Sequence, residues 1–282
     1  NVALNLRSLG AMVYMHAIAG ADEDGQLLEM LTKEKGINTE GIWKADDRIT
    51  TNKIRIISKN QHLLRLDNEQ VHDLPTDKAQ LFIEHTLTLF ARTPPDVVIF
   101  EDYNKGLLTA SIITALMQYC QSNNILTAVD PKRRNFFAYQ GADIFKPNLK
   151  EAREALNLLD EKVSQDGLQQ MHELLVAQLQ HHISLITLSE KGMFYQAGAQ
   201  AQIIEAHVRN VADVSGAGDT VIAVASLVYA ATKNVHLMAR IANLAGGLVC
   251  EAVGTVAIDA QQLLAACNQE LPPLPAPEQQ HA

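Results

Sequence analysis

Short apolar runs alternating with amphipathic helical patterns constrain this chain more than any other feature of it. Residues 97–100, 126–129, 144–145 and 183–188 read as buried strands, being brief, continuous and rich in Val, Ile, Leu and Phe. Between them Ile112, Ile113, Leu116, Met117 and Cys120 make one helical stripe, and a further helix is expected over 168–179. Earlier, 11–19 reads as a strand, followed by a helix from about Asp24 to a stop at Gly36. Strands joined through helices run parallel and are covered on both faces. The fold class is therefore α/β with a mostly parallel central sheet. Ligand sites in such sheets lie beyond the carboxyl ends of the strands.

At 282 residues and 47% hydrophobic, the chain is long enough for one large domain with a full core. Its 23 basic and 32 acidic side chains leave a net charge of −9 with no basic block, which argues against nucleic acid and anionic membranes as partners. No run of about 18 apolar residues occurs, so no segment is expected to span a membrane. Cys120, Cys250 and Cys267 are widely spaced in apolar helical patterns, which fits reduced thiols and a cytoplasmic location. The ten histidines include no H-x-x-x-H or H-E-x-x-H spacing, so a transition-metal site built from protein alone is not expected.

One section leaves the rhythm. Over 42–67 two β-patterned runs flank an Asn-rich turn and read as a hairpin outside the main sheet. The opening residues are in helical register, with Val2, Leu6 and Leu9 on one face and Gly10 as the stop. Residues 1–267 form the expected domain, and 268–282 a Pro-rich tail or linker.

The chemistry concentrates in Asp213-Val214-Ser215-Gly216-Ala217-Gly218-Asp219-Thr220, which leads into an apolar helix over 221–229. Free backbone N–H groups at a helix start attract anionic oxygen, and Gly216 and Gly218 let an anion come close. Asp219 at that mouth is placed to take a proton from a hydroxyl. An anion hole beside a base suits phosphoryl transfer to an alcohol. An ordinary Ser/Gly/Asp turn, with Asp219 as a helix cap, has the same local pattern. Neither G-x-G-x-x-G nor G-x-x-x-x-G-K-[ST] occurs. Other polar clusters follow the strands: Glu101-Asp102-Tyr103-Asn104-Lys105-Gly106, then Asp130-Pro131-Lys132-Arg133-Arg134, then Lys146-Pro147-Asn148-Leu149-Lys150-Glu151. Asn148 and Glu151 have the spacing of a capping box.

The 213–219 segment resembles the second signature of the PfkB/ribokinase family of sugar kinases, D-T-x-G-A-G-D, with Val214 in place of the threonine. That resemblance implies a ribokinase-like three-layer sandwich with a small β lid over the sugar, and often a homodimer formed through the lid. It implies ATP and Mg²⁺, and leaves open a monovalent cation such as K⁺ near Asp213. Carried over, Gly216, Ala217 and Gly218 supply the anion hole and Asp219 the catalytic base. Asn148 and Glu151 match the family's N-x-x-E motif, which organises magnesium-bound water, with Lys150 between them near the nucleotide. Thr187, Ser189 and Gly192 resemble the loop along the ATP phosphates. Asn243 and Gly246, in a helix of small residues, resemble the adenine wall, although close helix packing would select the same residues. Asn1-Val2-Ala3 looks like the end of the first family signature, G-G-x-x-N-x-A, whose asparagine touches the sugar.

Five further segments occur together in order: Thr51-Asn52-Lys53-Ile54-Arg55, the run 60–67, Asp102-Tyr103-Asn104-Lys105-Gly106, Asp130-Pro131-Lys132 and Pro147-Asn148-Leu149. The set is similar to the branch of the family acting on a heptose 7-phosphate for lipopolysaccharide core synthesis. On that reading Asn1 and Asp102 orient sugar hydroxyls, and Arg65, Lys105 and Lys132 hold the distal phosphate. Ribose, fructose or a fructose phosphate as acceptor, or a catalytically silent binding protein, remain alternatives. Roughly 40–50 residues of the family pattern, more than a βαβ start, have no counterpart before Asn1. The stretch alone is therefore expected to be catalytically poor and unstable. No second enzymatic domain follows the tail, so the chain is expected to be monofunctional or trimmed.

Overall fold

The computed structural model describes residues 1–58, 61–158, 163–206 and 211–271. Along the chain run α1 (Val2–Ser8), β1 (Ala17–Gly20), α2 (Glu23–Glu34), β2 (Ile42–Ala45), β3 (Asn52–Ser58), β4 (Gln61–Asn68) and α3 (Thr76–Arg92). The α/β alternation continues with β5 (Val97–Glu101), α4 (Ala110–Ser122), β6 (Leu126–Asp130), β7 (Ile144–Phe145), α5 (Leu149–Leu156), α6 (Gln165–Leu179) and β8 (Ile183–Thr187). It closes with β9 (Met193–Ala197), β10 (Gln200–Ile204), α7 (Ala217–Thr232), α8 (Val235–Val249) and α9 (Ala260–Glu270).

The main sheet has the order β10-β9-β8-β7-β6-β5. The pairings from β5 to β8 are parallel, whereas β9 and β10 form an antiparallel edge joined at Gly198-Ala199. Because side chains alternate along a strand, the two faces of the sheet carry separate cores. Phe100, Val129 and Phe145 point to the layer of α3, α4 and α6, where Phe82, Ile112 and Leu175 meet them. Ala128, Ile144 and Leu185 point the other way, to α7, α8 and α9. Helix α7 is apolar on all sides because it is sandwiched: Val221, Ile222, Ala223, Val224 and Ala225 are all buried. The three-layer expectation is met.

Three boundaries differ from the sequence reading. The strand expected over 11–19 is regular only at Ala17–Gly20, with a single bridge from Tyr14 to Asn38 upstream. Val13 is buried but Met12 is 83% exposed, and beyond that bridge the segment makes no regular pairing among the described residues. Residues 42–45 do not belong to the hairpin. They pair in parallel with β1, and Trp43 stacks on Phe82 of the core. The hairpin itself is β3 with β4, a separate two-stranded sheet. Two residues of its turn, 59 and 60, and the Pro-rich stretch 272–282 lie outside the described residues. Helix α9 runs to Glu270, so 268–270 are helical and not tail.

Buried Arg48 fastens the base of the hairpin to the loop after β5, donating to the carbonyls of Lys105 and His72. At the opposite end of the chain, Asn5 is fully buried. Its Oδ1 accepts from the Ile258 amide (2.8 Å) and the Thr220 hydroxyl (3.3 Å), which clamps α1 onto α7.

Candidate active site

The last residues of three neighbouring strands build the floor of the site. Glu101 and Asp130 are register partners at the ends of β5 and β6. The Lys146 amide continues the ladder by donating to the Val129 carbonyl at 2.8 Å. By alternation all three share the face of Ile99, Ala128 and Ile144, beneath α7. The Lys146 ammonium, 3% exposed, lies 2.9 Å from Asp130 Oδ2. Carboxylate oxygens of Glu101, Asp130 and Asp219 lie within 4.8 Å of one another. Burial, and then the charge of Asp130, pushes Glu101 up to about 8.

Over this floor stands the start of α7. The helix begins at Ala217, four residues before the expected 221, so Asp219 sits inside the first turn and is not its cap. The preceding Gly216 is left-handed (φ 83°), and a Cβ there would come within 2.6 Å of Asn1 Nδ2. Asn1 Nδ2 in turn donates to the Gly216 carbonyl at 3.3 Å. Among the described residues the amides of Gly218 and Asp219 have no acceptor, while that of Ala217 is turned to the Val214 carbonyl at 3.3 Å. Of the three amides expected at an anion hole, that of Gly218 is therefore open, as is the amide of Asp219, and that of Ala217 is taken. Asp219 Oδ1 accepts from the Tyr103 hydroxyl at 3.2 Å. Asp213 shapes the loop, accepting from the amides of Ser215 (2.9 Å) and Gly254 (3.1 Å).

The N-terminus of α5 borders the same floor. Asn148 and Glu151 form a reciprocal capping box, each side chain accepting from the other's amide. Glu151 Oε1 also holds the Lys132 ammonium at 2.6 Å, and Lys132 reaches Asp130 at 3.6 Å. Burial alone would lower the Lys132 pKa, but Asp130, Glu151 and Glu101 together raise it. Thr187 bridges to Asn148, so these two expected nucleotide contacts are neighbours. Buried oxygens of Glu101 and Asp130 lack a hydrogen-bond partner, and such hard donors fit a Mg²⁺-type ion. Asn148 and Glu151, already engaged by the cap and Lys132, suit contact with that ion through its water.

The remaining expected residues divide. Lys150 is exposed and faces Glu154 across one turn. Ser189 (φ 56°) takes a left-handed backbone that is uncommon for a side-chain-bearing residue, and Gly192 (φ 91°) is a position for glycine, where a Cβ would run into the Ile204 carbonyl. Asn243 is buried and donates to the Glu205 carbonyl at 2.9 Å. At Gly246 a Cβ would press on Val221 Cγ2 at 2.8 Å, so the packing of α8 on α7 already requires glycine there. Arg65 and Lys105 stand on the hairpin side, in a chain of ion pairs Arg65–Asp67–Lys53–Glu69–Lys105.

Asp102, expected at the sugar, is turned to the core side of the sheet. It is 3% exposed, accepts from the Tyr139 hydroxyl (2.9 Å) and the Asn104 amide (2.8 Å), and so serves the core side of the sheet. Alternation explains this: one residue earlier Glu101 points to α7, and one later Tyr103 reaches Asp219. Glu101, Asp130 and Lys146 are the site residues that motif matching missed. The signal was present in the odd-even pattern of 97–102, read together with the strand ends at 130 and 146.

Residues 1–262 match the family described as pfkB family carbohydrate kinase. The chain is 36% identical over 266 residues to Bifunctional protein HldE of Desulfatibacillum aliphaticivorans, covering 94% of this chain and 54% of that protein. A protein of the same name from Coxiella burnetii is 36% identical over 272 residues, covering 95% and 55%. The chain thus spans about half the length of the curated relatives it matches. Among solved structures, phosphofructokinase-2 from Escherichia coli in complex with potassium superposes with a TM-score of 0.81 at 17% identity, over 95% of this chain and 85% of that one. Arabidopsis thaliana ribokinase complexed with ribose and ATP gives 0.74 at 17% identity, over 94% and 85%. At such identities the likeness carries the fold, which is ribokinase-like α/β. No helix among the described residues is long and apolar enough to cross a membrane. The family match extends over the floor, the α7 start and the α5 cap alike, and the chain belongs to the pfkB family of carbohydrate kinases, phosphotransferases acting on sugars.

Proposed function

We infer that this chain catalyses ATP-dependent phosphorylation of the anomeric O1 of D-glycero-β-D-manno-heptose 7-phosphate, giving the 1,7-bisphosphate. The observation that carries the reading is Asp219 in the first turn of α7, beside two unpaired amides and above a floor of carboxylates. The heptose acceptor rests on the ordered set of segments that resembles that branch of the family. O1 forms a bond to the γ-phosphorus as the bond to the β–γ bridging oxygen breaks. The O1 proton passes to Asp219, and ADP leaves with the electron pair. The amides of Gly218 and Asp219, at the positive end of α7, stabilise charge on the phosphoryl oxygens. Bound Mg²⁺ would neutralise phosphate charge, and Asn148 and Glu151 orient its water. Asn1, anchored on Gly216, orients a sugar hydroxyl, and the site of action is the cytoplasm.

A second acceptor class is favoured by one observation. Arg65, Lys105 and Lys132 each already have a carboxylate partner, as expected if the sugar brings no phosphate of its own. ADP release by the full-length gene product, with Mg-ATP and a panel of sugars, separates the two. Turnover confined to the heptose phosphate supports the first reading, and turnover on fructose or ribose overturns it. Exchanging K⁺ for Na⁺ in the same assay tests a monovalent cation near Asp213.

A homodimer through the hairpin belongs to the same reading. Ile54 opposes Leu66 and Ile56 opposes Leu64, making one apolar ladder, and all four are 42–51% exposed. Replacing Ile54 and Leu66 with Lys is expected to yield monomers by light scattering. An unchanged mass would place the contact elsewhere.

A further inference from the structure

Lys146 is the most deeply buried cation of the site, and neither the cap nor the proton transfer uses it. Its ammonium sits under the first turn of α7, 3.7 Å from where a Cβ on Gly218 would stand. On that side the amides of Gly218 and Asp219 point to no acceptor among the described residues. On the other, Lys146 holds Asp130 at 2.9 Å. Its neighbour Lys132 is turned to Glu151 and is a third exposed. Lys146 is therefore a fixed, buried positive charge beneath the α7 start, beside the carboxyl groups of Glu101, Asp130 and Asp219.

We propose that Lys146 is a positioning residue for the nucleotide's phosphate chain: by neutralising Asp130 beneath Gly218 it makes an acidic sheet edge accept a polyanion. The proposal rests on the kinase reading above. Its physical basis is sign and distance. A triphosphate brought to the amides of α7 approaches the carboxyl groups of Asp130 and Asp219, and a nearby cation offsets their repulsion. Lys146 does so at little cost in side-chain entropy, because packing already immobilises it. Its effect falls on phosphates and leaves adenosine untouched.

The test is calorimetric binding of ATP, ADP and adenosine, each without acceptor sugar, to the full-length wild type and to Lys146→Met. Expected is a loss of about thirty-fold in ATP affinity, a smaller loss for ADP and none for adenosine. Lys146→Arg should recover most of it. Equal losses for all three ligands, or ATP affinity unchanged, would overturn the assignment. Because Lys146→Met leaves Asp130 buried without its partner, the pair Lys146→Met with Asp130→Asn is measured as well. Removing both charges should return ATP affinity close to wild type. An ATP-specific deficit that persists in the double variant would overturn the role through Asp130. A wild type that binds none of the ligands would sink the kinase reading itself, which a retained ATP preference in Lys146→Met would not.

Discussion

The hairpin and the carboxyl edge of the main sheet both carry dense charge, under opposite conditions. On the hairpin side Arg65, Asp67, Lys53, Glu69 and Lys105 form a chain whose side chains are 21–55% exposed. At the sheet edge Asp130 and Lys146 are buried and Glu101 nearly so. The carboxyl groups respond in opposite directions. Hydrogen bonds from Arg65 and Lys105 hold Asp67 and Glu69 below the usual carboxylate range, whereas burial lifts Glu101. Water screens the first region, and the second must balance itself. What separates a solvated ornament from a reactive site is desolvation, not the number of charges.

The largest test of that contrast is Asp219→Asn, which removes the proposed base while keeping its shape. Turnover should fall by about 10³-fold with ATP affinity retained; near-normal turnover would remove Asp219 from the chemistry. Next comes Asp130→Asn, which leaves the Lys146 ammonium buried without its partner. Urea denaturation should register a loss of about 3 kcal/mol. A loss below about 1 kcal/mol would mean that water reaches Lys146 and that the two regions are alike. Glu101→Gln follows, through pH. The folded state raises the Glu101 pKa, so its contribution is fully present below about 4.5 and is lost as pH rises through about 8. Wild type should therefore lose about 4 kcal/mol relative to the variant across that window. A pH-independent difference would show Glu101 to be solvated. The smallest effect is expected for Arg65→Ala, with the melting temperature changed by less than about 2 °C. A rise in KM confined to a phosphorylated acceptor would then separate a binding role from a structural one.

Local signals carried much of this molecule into its sequence. The strands at 126–130 and 183–187 and the stripe of α4 are continuous along the chain, so periodicity alone finds them. The 213–219 segment is likewise local and dense in special residues. Less was legible where neighbours in space are distant in sequence. Asp102 and Glu101 both follow the 97–100 run, and only the facing of the strand tells which of them lies under α7. The pair of Lys146 with Asp130 depends on β6 lying beside β7, an order that no single segment encodes. Gly246 looked like a ligand wall, and its need for glycine comes from Val221 on another helix. Apolar composition over 11–19 marks a strand-like run, and does not tell how much of it finds a partner strand.

The clamp at Asn5 has a consequence for how the site comes into being. Asn1 leans on Gly216, while Asn5 is bonded to Thr220 and to Ile258, 253 positions along the chain. Closing so long a loop comes late, after local helices and neighbouring strands have formed. During synthesis the first helix must wait, unclamped, until the stretch around Ile258 has left the ribosome. The corner where α1 meets the start of α7 therefore forms only once the chain as far as Ile258 has been made.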